Sequence, residues 1–438
     1  MNYKTIAILG IFLLFIILQI QIFTPVMSDE NNYFYLASEV VEGKVPFKDF
    51  FFAHVPLQLY VLAIPFLLFG YNFIVIKSIA LIATGITVLF LFLTLKHEYG
   101  ATTGLFGAVS YLFIGTTFYF GGVNMGINLT VMWLVIGLYL MIRQKYVLSG
   151  LFYAISAMTG TYALFAIGII FLFYIKKPKL YLSFAVFFGL INLSFWLMAG
   201  NVFIYQAYLY HFMKPAISSS SKISILVRLF FQDYLILVPF IISVWLLKNK
   251  FLYISVIAGT ALILLQNPQP YYYMIIYPIM IIGFGQLFRN RIMRLAFCGL
   301  LAISTFNIAN NIEGWKNMYE FHELEELKGV IGKGDGMIFG DFDITQLTAL
   351  ELDRKVLIDS NVDTYPMAVH VLDIDKMIQS VYEAELDYLI VHEIGGGVNP
   401  IWRINDMKNV LKEKCNYGDA VWSKKSGIGG IKVYRCGG

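Results

Sequence analysis

The sequence predicts an α-helical polytopic membrane protein of about eleven transmembrane segments, with a re-entrant or interfacial helix and a small C-terminal α/β domain. Three observations carry this. Of the 438 residues, 58% are hydrophobic, 17% aromatic and only 14% charged, against roughly one-quarter charged in an average soluble domain. Apolar runs long enough for membrane helices recur as far as residue 309. Beyond Asn310 the charge content rises and short helical and strand patterns alternate. The formal net charge of +4 is too small to call for a nucleic-acid partner.

The first run, Ile6 to Phe23, holds only Gln19 and Gln21 as strongly polar residues and is long enough for one crossing. It lacks the small-residue cleavage site of a signal peptide and is expected to remain as an anchor. Further runs follow at 73–96, 101–120, 127–142, 147–175, 180–199, 224–247, 251–266, 271–288 and 291–309. Basic residues orient them. Lys96-His97, Arg143 with Lys145, Lys176-Lys177 with Lys179, Lys248 with Lys250, and Arg289, Arg291 and Arg294 all face the cytoplasm in one threading.

That threading needs two irregularities. Val55 to Gly70 is too short to cross and is expected to lie at the interface or to re-enter. The run 147–175 has basic clusters at both ends and Met158-Thr159-Gly160-Thr161-Tyr162 in its middle, which predicts two short helices folded back, with a cavity wall near Thr159 and Thr161. The N-terminus then lies in the cytoplasm and the chain divides into a transmembrane domain, 1–310, whose first extracytoplasmic loop spans about 27–72, and an extracytoplasmic α/β domain, 311–438. In the latter the pattern predicts helices near 319–330, 347–352, 374–383 and 404–414, strands at 336–339, 356–358 and 388–391, and a terminal hairpin ending 431–434. The three cysteines share no metal-type spacing; Cys298 sits in an apolar run, and Cys415 and Cys436 can pair if their part of the chain is extracytoplasmic.

The adjacent carboxylates Asp29 and Glu30, just past the first membrane exit, are the leading functional candidates, because charge at a bilayer edge is costly. Basic residues also gather on the side where the positive-inside rule expects few: Lys44, Lys48, His54, Lys77, His211, Lys214 and Arg228. Such an excess wants an anionic partner. For Lys77, inside an apolar run, snorkelling to headgroups is the competing explanation. Tyr271-Tyr272-Tyr273 competes with an ordinary interfacial aromatic belt.

Asp29-Glu30, Tyr33, Tyr35, Ala37, Gly43, Pro46-Phe47, Asp49-Phe50, His54, Pro56-Leu57, Tyr60 and Leu68-Phe69-Gly70, after a first transmembrane helix, resemble the first extracytoplasmic loop of the GT-C glycosyltransferases, nearest the protein O-mannosyltransferase, aminoarabinose transferase and RgtA-D-like group. Leu148-Ser149-Gly150 and Pro270-Tyr271-Tyr272-Tyr273 with Tyr277-Pro278 extend the likeness. The resemblance implies a membrane transferase that takes a sugar from a polyprenyl- or dolichyl-phosphate donor and passes it, with inversion, to a glycan, lipid or protein acceptor on the extracytoplasmic face. It maps the general base onto Asp29, leaving Glu30 to orient Asp29, bind acceptor or hold a divalent cation, the one cofactor left open. His54, Lys48, Lys77, His211, Lys214 and Arg228, with Tyr271 and Tyr273, are the candidates for the donor phosphate or substrate.

Two D-x-D triplets, Asp341-Phe342-Asp343 and Asp373-Ile374-Asp375, resemble a nucleotide-sugar metal motif, but they fall outside the membrane, and Asp343 is expected to cap a helix. Gly395-Gly396-Gly397 matches no phosphate-loop pattern and is expected to be a loop. The alternative function is a transporter or flippase for a lipid-linked sugar, which would show paired inverted halves; no repeat is visible. An oligosaccharide-transferring enzyme would carry a Trp-Trp-Asp motif, and Trp315, Trp402 and Trp422 stand alone.

Overall fold

The computed structural model describes residues 3–213, 218–265, 268–357, 374–394, 397–398, 405–415, 422–425 and 429–436. Its first element is helix α1, Tyr3–Ile22. Helix α2, Asp29–Val41, starts at Ser28, whose side chain accepts from the Glu30 amide (3.4 Å), and it carries two carboxylates in its first turn, where the helix dipole favours them. Helix α3, Leu57–Phe69, has 13 residues and so reaches only about 20 Å, short of the roughly 30 Å hydrocarbon core. Helix α4, Phe73–Tyr99, is capped by Asn72 at one end, carries Lys96 and His97 in its last turn, and stops at Gly100, whose φ of +97° suits glycine.

Several apolar runs are broken where a single helix was expected. Run 101–120 splits into α5, Ala101–Leu112, and α6, Gly115–Phe120. After α7, Ile127–Ile142, run 147–175 forms α8, Tyr146–Ala157, and α9, Ala163–Phe173, with the predicted interruption between them. Pro178 opens α10, Pro178–Ala199. Short helices α11, Asn201–Ile204, and α12, Tyr210–Met213, flank a π-helical turn. Run 224–247 is split into α13, Ser219–Gln232, and α14, Tyr234–Leu246, bent by 97° at Asp233. Helix α15, Lys250–Ile263, a 3-10 turn at Pro270–Ile275, α16, Tyr277–Phe284, and α17, Arg291–Tyr319, complete the apolar part.

Among the described residues three helices, α4, α10 and α17, are long and apolar enough to cross a membrane, or four if the bent α13–α14 pair is one broken span. The other apolar helices have 10–17 residues. On α10 only Leu180 and Phe195 are buried, while Leu182, Val186, Leu190 and Leu197 face outward. A surface so apolar is stable against lipid and not against water, which makes this a multi-pass membrane protein.

Residues from Leu324 onward form α18, Leu324–Ile331, strand β1, Met337–Gly340, α19, Phe342–Leu352, β2, Lys355–Val356, α20, Ile374–Glu383, β3, Leu386–Ile394, β4, Gly397–Val398, α21, Asn405–Lys414, and the pair β5, Trp422–Lys425, and β6, Gly429–Arg435. The sheet is mixed, in the order β2-β1-β3-β6-β5: β1 runs parallel to both β2 and β3, and β6 is antiparallel to β3 and β5. Cys415 and Cys436 form a disulfide that ties the end of α21 to the end of β6.

This sheet unit is fastened to the loop after α1. Phe321 N donates to Pro25 O (2.9 Å) and Met27 N to Tyr319 O (2.8 Å). Val356 N donates to the Tyr35 hydroxyl (2.9 Å), and the Tyr71 hydroxyl to Glu351 (2.6 Å). Helix α2 is thus held between the apolar bundle and the sheet unit, with a continuous core of Phe34, Leu36, Leu59, Leu347 and Ile390 around it.

Candidate active site

The two carboxylates that open α2 have different surroundings. Glu30 is 0% exposed and ion-paired with Lys77 of α4, itself 1% exposed. Its second oxygen accepts from Asn124 N (2.8 Å), and Asn124 Nδ2 in turn donates to Lys77 O (3.2 Å). A buried charge pair survives only with such extra hydrogen bonds. Asp29 is half-buried and lines a cavity of about 670 Å³.

That cavity lies between the α1–α2 junction, α6, α13, α17 and the 3-10 turn at Pro270. Arg228, exposed on α13, contributes the cationic side chain, and Tyr119, Phe120, Tyr271 and Trp315 the aromatic walls. Ser28, Gln232, Gln269, Asn307 and Asn311 add uncharged polar groups. The corner at Asp233 sets the direction of α13. Its buried carboxylate accepts from Thr116 N (2.8 Å), the Thr116 hydroxyl (2.6 Å) and the Tyr277 hydroxyl. The close approach needs Gly115, because a Cβ there would stand 2.7 Å from Gln232 O.

Behind Asp29, Tyr33, Tyr162, Tyr271 and Tyr272 all lie within electrostatic range of its charge. Tyr162, from the break between α8 and α9, stacks on Tyr272 (4.2 Å between centroids). Tyr33 shares a hydrogen bond of 2.9 Å with His54 Nε2, and His54 Nδ1 faces His211 Nε2 at 3.3 Å.

The predicted site residues therefore separate. Asp29, Arg228 and Tyr271 share the cavity. His54 and His211 come together on the Tyr33 side. Lys77, expected at a phosphate or a headgroup, is instead locked inside the protein on Glu30. With both Glu30 oxygens committed to Lys77 and Asn124, Asp29-Glu30 does not present two carboxylates to a cation, and among the described residues no group of three or more His, Cys, Asp and Glu is placed to hold a metal ion. Tyr273 is buried, its hydroxyl without a partner among the described residues, away from the cavity lining. Lys48 is exposed in the turn after α2 and does not border the cavity. Lys214, Asp373 and Gly395-Gly396 lie outside the described residues. Thr159, expected near a cavity wall, is buried and donates to Ile155 O (2.8 Å), and neither it nor Thr161 borders the cavity of Asp29.

The first D-x-D triplet also has a different role from the one expected. Asp341, not Asp343, stands at the N-cap of α19, and its side chain makes no cap bond. Asp341 accepts from His392 N (2.6 Å), and Asp343 pairs with His392 Nδ1 (2.8 Å). Burial on its own would lower the His392 pKa, but the Asp343 bond and charge, with Asp341 and Glu323, leave it raised from its ordinary value. This buried pair sits against α2, where Asn31 Nδ2 donates to Asp343 O.

Trp315, Asn311 and Gln232 were not anticipated. The signal for them is polar spacing on an apolar helix: Ser304, Asn307, Asn311 and Trp315 recur at helical intervals on α17.

No family model matches the chain, and no curated protein sequence matches it. Solved structures do. ArnT from Cupriavidus metallidurans bound to undecaprenyl phosphate superposes with a TM-score of 0.70 over 99% of this chain and 98% of that one, at 10% identity. The fold is that of the GT-C glycosyltransferases. The apo form of the same ArnT gives 0.65 with the same coverage and identity. The Archaeoglobus fulgidus oligosaccharyltransferase in complex with Zn and sulfate gives 0.52 at 10% identity, over 86% of this chain and 67% of its own. At such identities the GT-C likeness establishes the fold, and the roles of the site residues rest on the geometry of this chain.

Proposed function

We propose that the chain is a glycosyltransferase that moves a sugar from a polyprenyl- or dolichyl-phosphate donor to an acceptor hydroxyl on the extracytoplasmic face, with inversion. The observation that carries this is the pairing of a half-buried carboxylate, Asp29, with a guanidinium, Arg228, on one cavity of a GT-C fold. Asp29 takes the proton of the acceptor hydroxyl as its oxygen attacks the anomeric carbon, and the bond from that carbon to the phosphate oxygen breaks. Arg228 receives the departing lipid phosphate, and Tyr271 orders the cavity wall beside it. The neighbour that holds undecaprenyl phosphate supports a lipid phosphate as the anionic partner. His54 and His211 are assigned to substrate on the far side of Tyr33. Glu30, with Lys77, positions Asp29.

In this reading residues 1–310 form the membrane domain and 311–438 an extracytoplasmic unit that braces α2, with the N-terminus in the cytoplasm. The Cys415–Cys436 disulfide supports an oxidising side for that unit. A cysteine placed at Glu325, whose side chain is 80% exposed, is expected to react in intact cells with a thiol reagent that cannot cross the membrane. Labelling only after lysis would reverse the orientation.

The function itself is tested by mass spectrometry of cell-surface glycans from a strain lacking the protein. Loss of one sugar unit from one glycan class is the expected result, and it names sugar and acceptor together; an unchanged glycan profile would count against the transferase.

A further inference from the structure

Arg228 rides on a helix that side-chain packing barely holds. Of the 14 residues of α13 only Leu229 is buried, while Ile223, Val227 and Phe231 are more than half exposed. Near its start, Lys222 Nζ donates to Leu265 O (2.6 Å), a tie through a long side chain that can follow a small swing of the helix. Among the described residues the Arg228 guanidinium has no hydrogen bond or ion pair. A cation left unpaired beside a cavity can meet an anion there, provided its helix aims it.

The joint that follows α13 supplies the aim. Asp233 closes α13, its N–H donating to Leu229 O (2.7 Å), and opens α14, which leaves at 97°, its carbonyl accepting from Ile236 N (3.0 Å) and Leu237 N (3.1 Å). The Asp233 carboxylate is wholly buried and gathers three donors from two other helices: Thr116 N and the Thr116 hydroxyl of α6, and the Tyr277 hydroxyl of α16. Breaking any of them would leave a buried polar group unsatisfied, so the joint resists opening. Helix α6 also carries Tyr119 and Phe120 onto the cavity wall, so one residue holds wall and cation in a single frame. Arg228 lies five residues before the joint, about 7.5 Å along the axis. A swing of about 10° at Asp233 therefore moves its backbone by roughly 1.3 Å and its guanidinium further. Displacements of about 1 Å are enough to spoil a positioned contact.

We infer that Asp233 is a positioning residue for the anion site: by fixing the angle between α13 and α6 it aims Arg228 at the phosphate of the donor lipid. The identity of that anion rests on the transferase reading given above, whereas the test reads binding and needs no turnover.

Isothermal titration of the full chain in nanodiscs uses farnesyl phosphate as probe and farnesol as its uncharged control. Arg228→Ala is expected to weaken farnesyl phosphate about tenfold, and Asp233→Ala by about the same factor, with farnesol unchanged in both. In the Arg228→Ala background Asp233→Ala is expected to cost less than about twofold more, because no guanidinium is left to misplace. Asp233→Asn keeps the shape and an acceptor for Thr116 N, and its amide can donate to the two hydroxyls, so it is expected within about threefold of the parent. Thr116→Val leaves the backbone bond in place and is expected to lose about threefold; it repeats the cycle should Asp233→Ala fold poorly. A merely structural Asp233 would lower melting temperatures and give losses that add to that of Arg228→Ala. Such additivity, or losses within twofold in the folded joint variants, would overturn the positioning role. Unchanged farnesyl phosphate binding in Arg228→Ala would overturn it too, by removing the group that is positioned. A wrong transferase reading would show itself separately, as unchanged cell-surface glycans with phosphate binding and the coupling intact.

Discussion

Asp29→Asn is expected to lower kcat for sugar transfer by about three orders of magnitude, the usual worth of a positioned general base, with donor affinity and folding close to those of the parent. The amide keeps the shape and cannot take the acceptor proton. Folding should tolerate it, because Asp29 is half-buried at a cavity rim and α2 is capped by Ser28. Losing one charge from the first turn costs on the order of 0.5 kcal/mol. The measurement is single-turnover transfer from a polyprenyl-phosphate sugar by purified protein, with donor binding and melting temperature recorded alongside. Turnover within tenfold of the parent would remove Asp29 from the chemistry. A collapse of donor affinity with kcat unchanged would move it to a substrate-binding role.

How much of this could be seen in the sequence depends on the range of the interactions concerned. The carboxylate pair was visible because its neighbours are local: a helix exit and an aromatic loop. Its division of labour was not, since Lys77 and Asn124 reach Glu30 from far along the chain and only the folded bundle brings them together. Arg228 could be picked out because a cation on the sparsely basic side of a membrane protein needs a reason. Trp315 was weighed only against a Trp-Trp-Asp motif, and its place at the cavity is a property of packing.

The helix breaks divide in the same way. The interruption at 158–162 is marked by Thr and Gly, but the corner at Asp233 is held by Thr116 and Tyr277, which no local window contains. In the C-terminal part, alternation announced helices and strands well, whereas the pairing of β3 with both β1 and β6 is a long-range outcome. There too Asp343 reads locally as a helix cap, whereas in the fold its carboxylate is taken by His392 of β3.

Lys77→Met is expected to be the most destabilising single change at the site, by about 3–5 kcal/mol, because it leaves Glu30 charged, buried and without its counter-ion. Glu30→Gln should cost less than the same change in isolation would suggest once it is combined with Lys77→Met. The double variant removes both charges, and an apolar pair of similar volume in such a place is often neutral. Thermal unfolding in one detergent, compared across the single and double variants, gives the coupling. Activity should follow position more than stability. A shift of about 1 Å at the start of α2 is enough to cost on the order of a hundredfold in rate, so the double variant should regain its melting temperature without regaining its full kcat. If Lys77 met the donor phosphate directly, Lys77→Met would instead raise the donor KM, leave the melting temperature in place, and show no coupling to Glu30. That outcome would return Lys77 to the substrate and leave the buried pair without a role in placing the base.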